Sequence, residues 1–433
     1  MKISSHEFKS KLEYAFAFIA LQYSTGAFFV TLNRAGIISY GILQALWLLI
    51  YVVSFGLILR RWKRGLWFVS RDKLLLLLIG IACASVFWST APGTTMYRLI
   101  ALLGTVLFGM YLPTRFSARE LFKLLVWVMS VGAVMSVVFA IALPAYGVTS
   151  GGSWQGVYQH KNLMGRMMAL NVPFLMLVQP RKSSHQLIVW GMIGLSALLV
   201  VLSRSAGALV YCVALVGLLY FYRPLRWRDR LAIPVFLILI ALIGIMSLWL
   251  IANLENIVVN QLGKDLTLTG RTDIWNAAIH MIQQRPWLGY GYGAFWLGEY
   301  GPSEYIIRAT GWDEIPHSHN GFIDLCLNIG LLGVITFTTG IFLNIVSAIK
   351  RLRFTRDPMM LWALVALSFI FLSNLSESEI LKHNSFFWVL YVATVLARPV
   401  ELSQRLVKPA QTDASPPLLP VSETEPLMPR SNR

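Results

Sequence analysis

From Leu187 to Tyr222 the chain is apolar almost without interruption, and Arg204 is the only charge within the run. A single helix of about 36 residues at 1.5 Å each would reach about 54 Å, far beyond the roughly 30 Å of bilayer hydrocarbon. The run therefore has to fold back on itself. Ser203-Arg204-Ser205-Ala206-Gly207 is the only polar, glycine-containing break available for that turn. Leaving the run as one span would strand Arg204 in lipid at a cost of about 2.5–3.5 kcal/mol. It would also flip every loop downstream and nearly erase the asymmetry of positive charge. With the turn in place, most of the 37 Lys and Arg fall on one side, which marks that side as cytoplasmic.

The same reading along the chain predicts about twelve transmembrane segments of roughly 20 residues. They lie at 12–30, 37–58, 74–90, 97–112, 121–143, 167–180, 186–202, 206–222, 231–251, 319–349, 358–374 and 385–398. The tenth is long enough to tilt or break. The expected fold class is an all-α polytopic membrane protein with both termini cytoplasmic. Its membrane domain covers 1–400, with a large outer loop at 252–318 and a proline-rich, aperiodic tail at 401–433 expected to be disordered. A chain of 433 residues that is 56% hydrophobic and only 13% charged is not a string of soluble domains. The net charge of +17 is explained by basic loops that set orientation, so no nucleic-acid partner is expected. Cys83, Cys212 and Cys326 all sit in apolar runs and read as neither disulfides nor zinc ligands. The stretch Leu12–Val30 lacks a small-residue cleavage signal and reads as the first span.

The unusual polar residues collect on the outer side. Arg271 follows Thr269-Gly270 and precedes a short amphipathic helix expected to be capped near Thr272 or Asp273. An Arg just before a helix N-terminus combines a guanidinium fork with backbone N–H groups and suits a phosphate; an Arg beside lipid headgroups is the plainer alternative. Arg204 at its turn either snorkels to the headgroups or holds an anion. His319 heads the tenth span, and an imidazole with an ordinary pKa of about 6.5 suits a base near neutral pH. His317 competes for that role, and the i, i+2 pair lacks the i, i+4 spacing of a helical metal site. Asn320, Asp324 and Asn328 form a polar stripe on one helix face, for ligand binding or for interhelical hydrogen bonds. His160 and Lys161 follow the glycine-rich stretch Gly151–Gly156, and Glu377 and Glu379 face the same side. The two glutamates either hold an Arg or hydroxyl or sit in solvent. Trp and Tyr in these loops either stack on sugars or form an interfacial belt.

Several of these segments resemble one family. His319-Asn320, nine residues and then Gly330-Leu331-Leu332-Gly333 is similar to a signature of bacterial O-antigen ligases and Wzy-type polysaccharide polymerases. Leu268–Trp275 with Pro286-Trp287-Leu288-Gly289-Tyr290-Gly291 resembles that family's large outer loop. Gly156–Asn162 and Leu202-Ser203-Arg204-Ser205 look most like its exopolysaccharide, succinoglycan-type polymerase branch. The resemblance spans roughly 85–395 and implies an inverting, GT-C-like membrane glycosyltransferase with an undecaprenyl-pyrophosphate-linked oligosaccharide as donor. It implies action at the periplasmic face of the inner membrane, on substrates presented in membrane lipid. By carry-over, Arg204 and Arg271 would hold the pyrophosphate and His319 would be the catalytic base. His160, Lys161, His317, Asn320 and Glu377 would line the substrate site. No metal or cofactor is implied; a chain-length regulator and export proteins are the implied partners. The alternatives are a ligase that transfers glycan to lipid A-core, and a polytopic transporter or flippase. The second would place charges at mid-membrane in two related halves, whereas Asp324 is the main deep charge and no half-repeat is visible. A reporter fused after Asn260 is expected to report the outer compartment; reporter activity in the cytoplasm would overturn this topology.

Overall fold

The structure is a computed structural model. It describes residues 5–28, 33, 36, 38–180, 182–222, 234, 238–242, 244–246, 270–312, 315–352 and 357–397. Among these the only extended pairing is an isolated bridge between Val148 and Trp154. The principal helices are α1 (Ser5–Ser24), α2 (Tyr40–Leu59), α3 (Trp62–Val69), α4 (Lys73–Ala84), α5 (Pro92–Arg115), α6 (Ala118–Ala142) and α7 (Lys161–Leu177). They continue with α8 (Ser183–Leu202), α9 (Ala206–Tyr222), α10 (Gly270–Gln284), α11 (Glu304–Thr310), α12 (Gly321–Leu352), α13 (Trp362–Ser373) and α14 (Phe386–Leu396). Five of them, α2, α5, α6, α8 and α12, are long and apolar enough to cross a bilayer. The apolar helices α4, α9, α13 and α14 are shorter. This is a multi-pass membrane architecture.

The local sequence explains many helix starts. Ser39 caps α2, Asp72 caps α4, and Ser117 with Glu120 forms a full capping box on α6. Arg204 adopts a left-handed φ of 49° in the turn between α8 and α9, where the apolar run had to fold back. α7 begins at Lys161, earlier than the expected 167. Its first turns carry Lys161, Asn162 and Arg166, which line a cavity and so do not register as lipid-facing hydropathy. The ninth expected span, 231–251, lies mostly outside the described residues, as do 252–269 of the outer loop and the whole tail, 401–433. Within the rest of that loop the chain forms α10 and α11.

α7, α13 and α14 form the buried middle, with Trp362 and Trp388 fully enclosed. α7 packs against α8 and α9, α14 against α5, and α12 against α4. Gly165 permits the α7–α9 contact, since a Cβ there would lie 2.7 Å from that of Ala208. Polar core residues pair between helices: Asn344 donates to Asp72 at 2.7 Å and Asn171 to Ser196 at 3.0 Å.

α12 breaks at Ile329 and Gly330, the latter at φ 70°, ψ −171°. The loop 286–293 fills the gap in the helical ladder. Tyr290 N donates to Leu327 O at 2.8 Å and Gly291 N to Asn328 O at 2.9 Å, while Leu331 N donates back to Pro286 O at 2.7 Å. The Asn328 side chain accepts from Gly293 N at 2.6 Å. Gly330 is required twice over, by its positive φ and because a Cβ would collide with the Trp287 carbonyl. Gly330→Ala is expected to cost about 1–3 kcal/mol and to lower the thermal unfolding temperature in detergent. Gly194→Ala, whose added Cβ meets nothing within 4 Å, serves as the control.

Candidate active site

The segment His317–Asn320 is built as a rigid shelf ahead of α12. Asn320 caps the helix: its Oδ1 accepts from the backbone N of Phe322 (3.0 Å) and Ile323 (3.2 Å), and its Nδ2 donates to Leu375 O (3.3 Å). Its amide is thereby spent on backbone, so Asn320 shapes the site rather than lining it. Asp324 accepts from Ser318 N at 3.1 Å and from Trp296 Nε1 at 2.9 Å, and Trp275 Nε1 donates to Ser318 O at 2.8 Å. Residues from α10, from the 286–303 loop and from α12 thus hold one short strip of backbone. His319 is forced into the left-handed region at φ 55°, and its N–H donates to His317 Nδ1 at 3.1 Å.

The loop between α13 and α14 docks against this shelf. Gly321 N donates to Asn374 O at 2.8 Å, and the Asn374 side chain accepts from Glu379 N at 2.8 Å. The docking brings Glu377 to His319, with Oε2 3.9 Å from Nδ1. Glu379 pairs with Arg166 of α7 at 2.9 Å and with Lys382 at 3.1 Å, and accepts from Ser385 at 2.7 Å. The Arg166–Glu379 pair is almost fully buried, at 7% and 4% exposure. The alternative of solvent-exposed glutamates is excluded: the fold encloses both carboxylates and surrounds them with cations.

Electrostatics separates the two imidazoles. Burial, aided by the neighbouring His319, pushes the His317 pKa down to about 3. Its Nδ1 lone pair is also occupied by the His319 N–H. His317 is therefore a neutral, committed ring. Burial pushes the Glu377 carboxyl up, but Arg166, His319 and Arg271 outweigh it and hold it well below the usual carboxylate range. Glu379 is held down against burial by Lys382 and Arg166. A firm carboxylate thus faces His319 Nδ1, leaving Nε2 for a proton from outside.

A cavity of about 950 Å³ opens over this cluster. It brings together His160, Lys161, His317, His319 and Glu377. Arg271 lies within the first turn of α10 rather than just before the helix, and its Nη1 donates to Ser376 O at 3.2 Å, next to Glu377. Arg204 stands apart from the cluster. Its guanidinium is exposed and donates to the carbonyl of Gly151, a residue of the cavity wall, at 3.1 Å. Arg166 and Lys382 also line the cavity; sequence reading assigns them nothing beyond outer-side charge. The available signal is an Arg at the mouth of an apolar run, one helical turn beyond Lys161-Asn162.

The ligand atoms of His317, His319 and Glu377 lie within 4.8 Å of one another. Ligands on one zinc ion at about 2.0 Å sit roughly 3.3 Å apart, so the set would have to contract to hold a metal. Arg166, Arg271 and Lys382 crowd it with positive charge that opposes a divalent ion.

Residues 191–338 match the family model described as O-antigen ligase. Over 418 residues, 92% of each chain, the sequence is 25% identical to Exopolysaccharide production protein ExoQ of Rhizobium meliloti (strain 1021). Both likenesses support the resemblance to the O-antigen ligase/Wzy-type family. The matched stretch contains Arg204, Arg271, His317 and His319. The groups that complete the cluster, Arg166, Glu377, Glu379 and Lys382, come from helices and loops on either side of it. Similarity and architecture together support a multi-pass membrane protein related to the ligase/polymerase type.

Because His317 titrates only near pH 3, His317→Gln is expected to leave the acid limb of the pH–rate profile where the wild type has it. A limb shifted by that substitution would reassign the base. Glu377→Gln is expected to lower kcat by at least about ten-fold, since the anion facing His319 Nδ1 is lost.

Proposed function

We propose that the protein is an inner-membrane polysaccharide polymerase that works at the periplasmic face. It transfers a glycan from undecaprenyl pyrophosphate to the next lipid-linked repeat unit. The observation that carries this reading is the His319–Glu377 dyad facing the cavity, with the guanidinium of Arg271 held one residue away at Ser376. A polyprenyl pyrophosphate is already a good leaving group. The protein needs only to take a proton from the acceptor hydroxyl and to balance the negative charge that grows on the departing oxygen.

In one step the acceptor oxygen attacks the anomeric carbon as the bond to the pyrophosphate oxygen breaks. The hydroxyl proton passes to His319 Nε2, and the Glu377 carboxylate stabilises the resulting imidazolium. Arg271, held beside the dyad at Ser376, meets the leaving pyrophosphate, and Lys161 supplies a further cation from the cavity wall. Arg204, exposed beside Gly151, meets the lipid-linked phosphate as it enters. A single displacement inverts the anomeric centre. No step calls on a metal. Similarity to a protein named for exopolysaccharide production, over 92% of both chains, supports a polymer product over transfer to lipid A-core. Cytoplasmic termini follow from the bias of basic loops.

Purified protein given lipid-linked repeat units is expected to yield a ladder of long products on a gel. Arg271→Ala is expected to reduce polymer by at least about 100-fold, and His319→Ala to leave single repeats, both with normal membrane insertion. Wild-type chain lengths from His319→Ala would sink the assignment of the base.

A further inference from the structure

One wall of the cavity has no part in the chemistry above. Tyr40, Leu43, Gln44 and Trp47 recur at i, i+3, i+4 and i+7 and form a single stripe on the first two turns of α2. All four line the cavity, and Tyr97 of α5 lines it with them. Most of α2 is exposed, with only 17% of its apolar window buried, and Ile50, Ser54 and Ile58 turn inward. An interfacial belt would turn its rings toward headgroups; this stripe faces the cavity that also holds His319 and Glu377.

The wall is pre-organised. Gln44 Nε2 donates to Tyr97 Oη at 3.0 Å. Tyr23 Oη donates to Leu43 O at 2.6 Å, and its ring lies 4.8 Å from that of Trp47. Tyr51 packs behind Trp47 at 5.9 Å, and its hydroxyl meets the Asn384 side chain. Asn384 belongs to the same loop as Glu379 and Lys382, so one segment sets both the charged cluster and the aromatic wall. Tyr40 and Tyr97 keep 69% and 60% of their surface exposed, which leaves ring area uncommitted to the core.

A pyranose has an apolar C–H face and a rim of hydroxyls. It stacks on aromatic rings and hydrogen-bonds to amides and phenols. We propose that Tyr40, Trp47 and Tyr97 with Gln44 form a pyranose-binding subsite that seats a sugar residue beside the His319–Glu377 dyad. This rests on the glycosyltransferase reading above. The sugar belongs to either the acceptor end or the donor chain, and both present the same chemistry to the wall.

The test uses the full chain in nanodiscs, with untagged long-chain lipid-linked glycan as donor and a fluorescent single lipid-linked repeat as acceptor, each varied in turn. Tyr40→Ala and Tyr97→Ala, at exposed positions, are expected to raise one KM by about five-fold with kcat nearly unchanged. Trp47→Ala is expected to act in the same direction, and Trp47→Phe to recover most of the loss. A rise for the tagged repeat assigns the sugar to the acceptor, and a rise for the long chain assigns it to the donor. If both KM values hold in Tyr40→Ala and Tyr97→Ala while the wild type polymerises, the subsite is wrong and the enzyme reading stands. If the wild type makes no product from either substrate, the enzyme reading fails and the subsite with it.

Discussion

The site depends on a break in a helix that would otherwise run straight. Among apolar helices a broken hydrogen-bond ladder is tolerated only when protein groups satisfy the freed backbone. At Ile329–Gly330 the backbone of residues 286–293 supplies those groups. That exchange locks the outer loop onto the first half of α12. It also fixes α10 and Trp296 against the shelf that carries His317 and His319. The break adds a backbone seat for that loop to its side-chain bonds with Ser85, Trp88 and Arg98.

On that frame the charges sort themselves. Arg166 and Lys382 neutralise Glu379, while Arg166 and Arg271 keep Glu377 ionised. Buried charges are tolerable only in such company. The arrangement gives two imidazoles two kinds of work. His317 stays neutral and accepts a backbone N–H, and His319 faces a carboxylate and the cavity. The two side chains sit differently: His317 is desolvated, and the Glu377 carboxylate lies 3.9 Å from His319 Nδ1.

Much of the architecture was legible in the chain. The turn at Arg204 followed from length and charge, and the break in the tenth span from its excess length. The helix after Arg271 was legible too, although it runs from Gly270, ahead of the expected cap at Thr272 or Asp273, and takes Arg271 into its first turn. The polar stripe at Asn320, Asp324 and Asn328 pointed to the right face of α12. Its residues serve as a cap, a receptor for Trp296 and Ser318, and a clamp on Gly293. Hydropathy hid the start of α7 and the stripe on α2, because both face a cavity that a one-dimensional scan treats as interrupted lipid contact.

The sequence by itself determined what local rules decide: which segments are apolar and helical, where the chain must turn, and which polar residues crowd onto one side. Spacing along the chain carries that information because each rule acts within a few residues. Tertiary structure alone decided which charges meet. Arg166 and Glu379 are more than two hundred residues apart, and His319 finds Glu377 only because Asn374 docks the α13–α14 loop beneath the shelf. Pairing and burial set the protonation state of a site, and both are properties of contacts between distant segments, which no window along the chain can contain.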